Sequence, residues 1–171
     1  VPLLRTLGER LDTVVLSHRD LDHTGGARAV LDMQAQAALS SSLEPGHALV
    51  QQRPGTRCEA GQRWQWDGVD FEVLHPQAAD YGAAGAKKSN ALSCVLRIGS
   101  AHGTHALLAG DIETAQESRL VSTGAPLRAD WLLVPHHGSK TSSSDAFLAG
   151  VQPGVALVQA GYRNRFGHPA P

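Results

Sequence analysis

The sequence predicts a mixed α/β (α+β) domain, a mixed sheet with helices outside, and three observations predict it. Short β-branched apolar runs at residues 11–16, 129–134 and 155–158 each stop at a loop, the pattern of strands that feed a site at their ends. Helical signals separate these runs. In the middle, residues 56–109 hold short apolar runs punctuated by glycine, which read as hairpins. At 171 residues the chain suits one domain, residues 1–171, with a real core.

Taken in order, residues 3–8 read as the end of a helix with Gly8 as its stop. The first strand follows at 11–16. A helix is expected over 27–32, and residues 34–39 fit a short strand or a helical continuation. The run Ser-Ser-Ser-Leu-Glu-Pro-Gly at 40–46 reads as a break. Residues 47–52 fit a helix closed by Arg53-Pro54-Gly55. Short strands are expected at 56–58 and 63–66, then a half-exposed one at 69–74, where apolar and acidic residues alternate. Residues 81–88 read as a mobile loop. Residues 92–98 and 106–109 form an antiparallel pair around a turn at 100–104. A helix over 113–122, a buried strand over 129–134, a helix over 144–149 and a last strand over 155–158 complete the chain.

Composition narrows the function. A net charge of −1 gives no broad basic footprint for duplex DNA, so any nucleic-acid contact is local. Cys58 and Cys94 are the two cysteines, far apart and without a CxxC pair, and both are expected as buried thiols. No apolar run approaches the length of a membrane span. The chain opens within an element, without Met, and stops at His-Pro-Ala-Pro; it is expected to be cut from something larger.

The chemistry gathers in four loops. Ser-His-Arg-Asp-Leu-Asp-His-Thr-Gly-Gly at 17–26 puts His18, Asp20, Asp22 and His23 on one strand-end loop. Two imidazoles and two carboxylates are costly to desolvate together unless a positive partner sits between them. A divalent metal, or a pair of them, is the simplest such partner. Asp111 follows Gly110 at another strand end, where it either caps the next helix or leans into the site. His136 and His137 are adjacent and cannot both point one way, so one is expected as a ligand and the other toward substrate. Ser139, Lys140 and Thr141 then offer an anion cradle or an ordinary cap. Arg163 and Arg165 beside Tyr162 and Phe166 suit a single-stranded nucleic acid, or form a plain surface loop. Lys87 and Lys88 offer further phosphate contacts. His47, His102 and His105 are set aside, and His75 before Pro76 is expected to be structural.

His-x-Asp-x-Asp-His-x-Gly-Gly resembles the metal motif of the metallo-β-lactamase superfamily, usually His-x-His-x-Asp-His. The Asp at position 20, the preceding Ser17 and the following Gly-Gly are similar to the lactamase-like domain of ComEC-type DNA-uptake channel proteins. So are Asn90, Ser93 and Val95, and the ending Asn164-x-x-Gly167-His168-Pro169. The resemblance implies an αββα sandwich with a metal site at one edge. It also implies that the family's first strands and last helix are missing. Under it, His18, Asp20, Asp22, His23, Asp111 and His137 hold two divalent ions, with Asp111 bridging. His136 faces a phosphate or leaving-group oxygen, and His168 serves as general acid or phosphate contact, so Asp22, His136 and His168 form the catalytic set. Asn90, Ser139, Lys140, Arg163 and Arg165 touch substrate. Asn90 stands where much of the superfamily has a third metal-binding His, which favours manganese, with zinc as the alternative.

The activity implied is a metal-dependent phosphodiesterase that degrades one DNA strand during uptake. The domain would then belong to a bacterial inner-membrane channel protein, on its periplasmic or extracellular side. The alternatives are a hydrolase of another ester, lactone or thioester, and a non-catalytic DNA guide.

Overall fold

A computed structural model describes residues 2–82 and 88–171. Nine strands form two sheets among these residues. The smaller sheet is parallel, in the order β1 (Thr13–Leu16), β2 (Ala38–Ser41), β3 (Thr56–Arg57). The larger has six strands in sequence order: β4 (Arg63–Trp66), β5 (Val69–His75), β6 (Val95–Gly99), β7 (His105–Leu108), β8 (Trp131–Leu133) and β9 (Val155–Leu157). Its pairs are antiparallel as far as β7 and parallel beyond it. The switch follows from the connections. Short turns link β4 to β5 and β6 to β7, a longer connection joins β5 to β6, and α5 (Thr114–Ser122) and α6 (Asp145–Val151) carry the chain back between parallel strands.

Side-chain alternation makes this a layered core. In β5 and β6 the neighbours Val73 and Leu74, then Val95 and Leu96, fall alternately into two clusters. Leu74 and Val95 pack with Leu107, Leu132, Phe147 and Val151 under α5 and α6. Val73 and Leu96 pack with Cys58 and Cys94. A third cluster seats Leu16 and Leu39 of the small sheet on α3 (Ala27–Met33) and α4 (Ala48–Gln52), through Leu31 and Leu49. Each such leucine contributes about 1.5–3 kcal/mol by leaving water. The remaining helices are α1 (Pro2–Leu7) and α2 (Leu21–Thr24), the latter one turn within the motif loop.

Several expectations change. The strand β2 runs through Ser40 and Ser41, which sequence reasoning placed in a break; both serines are buried. Parallel pairing on both sides satisfies their backbone, and that outweighs the poor strand propensity of serine. The strand expected from residue 92 begins only at Val95, and Leu92 instead ends a 3₁₀ turn over Ser89–Leu92. The strand β8 is buried at Leu132 alone: Trp131 is 46% exposed because it faces away from the helices. Most of the loop expected over 81–88, including Lys87, lies outside the described residues.

The largest correction concerns the cysteines. Cys58 and Cys94 form a disulfide, not a pair of buried thiols. Cys58 continues β3, where its N–H donates to the Ser41 carbonyl, and Cys94 precedes β6, where its N–H donates to the Ser17 carbonyl. The bond therefore ties the small sheet to the large one, a long-range pairing that spacing alone cannot reveal. The loop it closes spans 36 residues, for which chain entropy gives about 3–4 kcal/mol. Reduction should lower unfolding stability by that amount in urea titrations run with and without dithiothreitol. Equal midpoints would contradict the bridge.

Candidate metal centre

The site lies where the two sheets meet at their strand ends. After β1 the chain turns at Ser17, whose carbonyl accepts from both the Cys94 N–H and the Ser42 hydroxyl. Its side-chain oxygen lies 3.1 Å from His18 Nδ1 and 3.1 Å from His23 Nδ1. One serine thus orients two imidazoles. After β7, Gly110 takes φ +58°, and a Cβ there would lie 3.1 Å from Ser93 Cβ and 3.2 Å from Ser17 Cβ. Only glycine fits this close approach without strain. The bend sends Asp111 inward, where its N–H donates to the Ser93 hydroxyl at 3.0 Å. Asp111 is not the cap of the next helix: Glu113 is, in a capping box with Gln116.

The adjacent histidines follow β8 with φ values of +48° at His136 and +56° at His137. Two successive left-handed residues cost backbone energy, and here they splay the two rings apart. His137 Nδ1 donates to the Gln159 carbonyl at 2.7 Å, which leaves Nε2 to face inward. His136 turns Nδ1 to the Thr141 hydroxyl at 3.1 Å, and that hydroxyl donates to Glu113 at 3.0 Å. The other face of His136 meets the Asn90 amide, 3.3 Å from Nε2. An amide nitrogen can only donate, so Nε2 accepts and the proton resides on Nδ1.

Asp22, His23, Asp111 and His137 each contribute one ligand atom to a group whose members all lie within 4.8 Å of one another. His23 Nε2 is 3.2 Å from Asp111 Oδ1 and 3.3 Å from His137 Nε2. His137 Nε2 is 3.4 Å from Asp22 and 3.5 Å from Asp111. Beside this group, His18 Nε2 is buried with no hydrogen-bond partner, 3.5 Å from Asp20 and 3.9 Å from Asp111. Asp20 in turn accepts from the Ser89 hydroxyl at 2.6 Å.

Electrostatics describe a site built for a cation. Burial opposes charge on His23, but the hydrogen bond and charge of Asp111 outweigh it and raise the His23 pKa. Burial also opposes ionisation of Asp111, yet His23 foremost, with His137 and His18, holds its carboxyl below the usual range. His18 moves the other way, because burial and the neighbouring His23 both disfavour its charged form. Each inward nitrogen has its opposite ring nitrogen fixed by a hydroxyl or carbonyl, as metal-binding histidines require. The orphaned His18 Nε2 and the converging carboxylates fit a divalent ion.

The remaining expected residues divide. His168 lies beside the cluster, its ring centroid 5.7 Å from that of His136 and 6.5 Å from that of His137. Arg165 lines the cavity in front of Asp111 and His136. Arg163 instead stacks on Tyr162, with Cζ 5.2 Å from the ring centroid, and lines neither cavity at the cluster. Ser139 turns to Thr141 at 3.2 Å, and Lys140 is exposed outside both cavities. His75 is buried with Nδ1 on the Ser93 carbonyl at 2.8 Å. Sequence reasoning missed Ser17, Ser89 and Glu113 as orienting groups. The adjacency of Ser17 to the motif was the one available signal; the others come from distant elements.

No protein-family model matches the chain. Competence protein ComA of Neisseria gonorrhoeae is 41% identical over 175 residues, covering 99% of this chain and 23% of that protein. Recombination protein 2 of Haemophilus influenzae is 34% identical, covering 99% and 20% respectively. ComE operon protein 3 of Bacillus subtilis is 29% identical, covering 99% and 22%. The chain therefore spans between a fifth and a quarter of the length of these relatives. Among solved structures, a metallo hydrolase from the archaeon Ignicoccus hospitalis superposes with a TM-score of 0.53 at 17% identity, over 85% of this chain and 61% of that one. A metallo-β-lactamase from Cronobacter sakazakii gives 0.50 at 17% identity, over 76% and 59%. The solved structures establish the αββα fold, which this chain shares with them. The chain has the metallo-β-lactamase fold and is related in sequence to bacterial competence proteins.

Proposed function

We propose that this chain is a metal-dependent phosphodiesterase that degrades one strand of DNA during uptake. The observation that carries the reading is the cluster of Asp22, His23, Asp111 and His137 within 4.8 Å, set in a fold whose sequence relatives include competence proteins. Asp22, His23, Asp111 and His137 would hold the tighter of two ions, and His18 and Asp20, with Asp111, would hold the second. A divalent ion there supplies Lewis acidity toward a phosphoryl oxygen and acidifies water.

The chain's own groups do the rest. Asp111 and Asp22 set the negative charge that retains the ions. Thr141 and Glu113 fix the proton of His136 on Nδ1, so Nε2 faces the substrate side beside Asn90. With a phosphodiester bound at the cluster, His136 Nε2 can accept a proton from the attacking water, and His168 can transfer one to the leaving oxygen. Arg165 meets a phosphate oxygen at the cavity mouth. Asp20 replaces a usual histidine by an oxygen donor, which favours manganese over zinc. The disulfide supports a location outside the cytosol, since such bonds persist in oxidising compartments. Among the described residues no helix is long and apolar enough to cross a membrane. In this reading the remainder of the longer protein supplies the channel and the inner-membrane anchor.

Incubating the protein with single-stranded DNA, nitrocefin and a lactone, each with manganese or zinc, tests the substrate class. DNA cleavage with manganese is expected. Turnover of nitrocefin or the lactone instead, or a higher rate with zinc and none with manganese, would overturn it. Variants then separate the roles. Asp111→Ala and His137→Ala should lose metal and activity together. His136→Ala should retain metal and lose roughly 10²–10⁴-fold in rate, the usual contribution of a positioned proton carrier. Loss of metal from His136→Ala with retention in His137→Ala would reverse the two assignments.

A further inference from the structure

We infer that Phe166 is a nucleobase-stacking platform, which makes the adjacent metal cluster selective for a single strand carrying bases. The inference rests on the phosphodiesterase reading and adds the part of the substrate that it recognises.

Phe166 is 66% exposed, a costly place for a large apolar ring unless something covers it in use. It lines two cavities at once. One, of about 620 Å³, includes Asp20, Asp22, Asp111, His136 and Arg165. The other, of about 530 Å³, includes Gln159, Gly161 and Asn164. Asp22, His137 and His168 line both. Volumes of this size hold small organic ligands. A phosphodiester has a nucleoside on each side of its phosphorus, and these two cavities, which share Asp22 and His137 of the cluster, offer room for both.

The ring is also fixed rather than loosely attached. Phe166 and His168 stack at 5.7 Å between centroids with a 17° interplanar angle. The Asn164 side chain accepts from the N–H groups of Phe166 and His168 at 3.2 and 3.0 Å, and donates to the His168 carbonyl at 2.7 Å. Beyond it, the Ala170 N–H donates to the Gly138 carbonyl at 2.8 Å, which ties the loop to the His136–His137 turn. Arg165 Cζ lies 4.7 Å from the Phe166 ring centroid. Leu21, 80% exposed, adds an apolar wall to the larger cavity. With the Arg165 guanidinium over the Phe166 ring, the pair forms a stacked platform on which a base can lie, while the arginine's charge meets the phosphate. With a net charge of −1 the chain has no broad basic footprint for DNA, so affinity comes from local contacts, and stacking adds to those made by Arg165 and the cluster. Bases inside a duplex have both faces covered and cannot present one to Phe166.

The test is equilibrium binding, by fluorescence anisotropy with calcium in place of manganese. The probes are a labelled oligothymidylate and an abasic strand of equal length. Stacking on one residue is worth roughly 5–150-fold, so the base-bearing strand should bind tighter by a factor in that range. Phe166→Ala should bring the ratio close to one, and Phe166→Tyr should retain it. Equal binding of the two strands by the unmodified protein would overturn the inference, as would a ratio that survives Phe166→Ala. Displacement by a blunt duplex as effective as by the single strand would do the same. Cleavage of methyl p-nitrophenyl phosphate, a diester without a base, is recorded separately. Its absence with every metal would remove the phosphodiesterase reading, while the base preference would still be readable from binding.

Discussion

The structure depends on keeping the Asp111 carboxylate inside the protein. Its side chain is 6% exposed, and four histidines reach it, at 3.2 Å from His23, 3.5 Å from His137, 3.9 Å from His18 and 4.0 Å from His136. Burying an ionised carboxylate costs several kcal/mol unless positive charge and hydrogen bonds offset it. His23 foremost provides both, with the charges of His137 and His18 adding to it. The backbone holds the carboxylate among them: Gly110 bends the chain inward, Ser93 accepts the Asp111 N–H, and the His136 N–H donates to the Gly110 carbonyl. The strained turn at His136 and His137 is thereby anchored to the residue that its imidazoles surround.

That arrangement requires the two sheets to be held in register with each other. Ser17 belongs to the small sheet's edge of the site and Ser93 to the large sheet's edge, and both pack against Gly110. The Cys94 N–H to Ser17 carbonyl bond and the Cys58–Cys94 disulfide close the same seam. A shift between the sheets would separate His18 and His23 from Asp111 and leave its buried carboxylate without its shortest contact, the one to His23. The covalent tie therefore protects the site as well as the fold. On the far side, Glu117 is fully buried and accepts the N–H groups of Ser143 and Ser144. It fixes the segment that carries Thr141 to His136.

Much of this was legible in the sequence, and the reason is local. The strands feeding the site, the loop bearing His18 to His23, and Asp111 after Gly110 are each encoded within a few adjacent residues. Periodicity and turn chemistry read the strands and the loop, whereas Asp111 stays between a helix cap and the site until the resemblance to the metallo-β-lactamase motif is weighed. Where reading failed, the deciding contact came from far along the chain. The strand character of Ser40 and Ser41 depends on parallel partners in β1 and β3. The disulfide depends on two sheets meeting. Glu113 reads as an ordinary helix start, and its role behind His136 exists because the loop after β8 folds over α5. Arg163 and Arg165 have equal claims in sequence, and only backbone geometry separates them: Arg163 adopts φ +53° and turns to Tyr162, while Arg165 enters the cavity wall.

The most direct measurement is anomalous diffraction at the manganese absorption edge from crystals equilibrated with manganese. A peak should appear within bonding distance of Asp22, His23, Asp111 and His137, with a second, weaker one beside His18 and Asp20. No peak among the first four residues at saturating manganese, or a peak bound elsewhere in their place, would contradict the metal centre and the mechanism built on it.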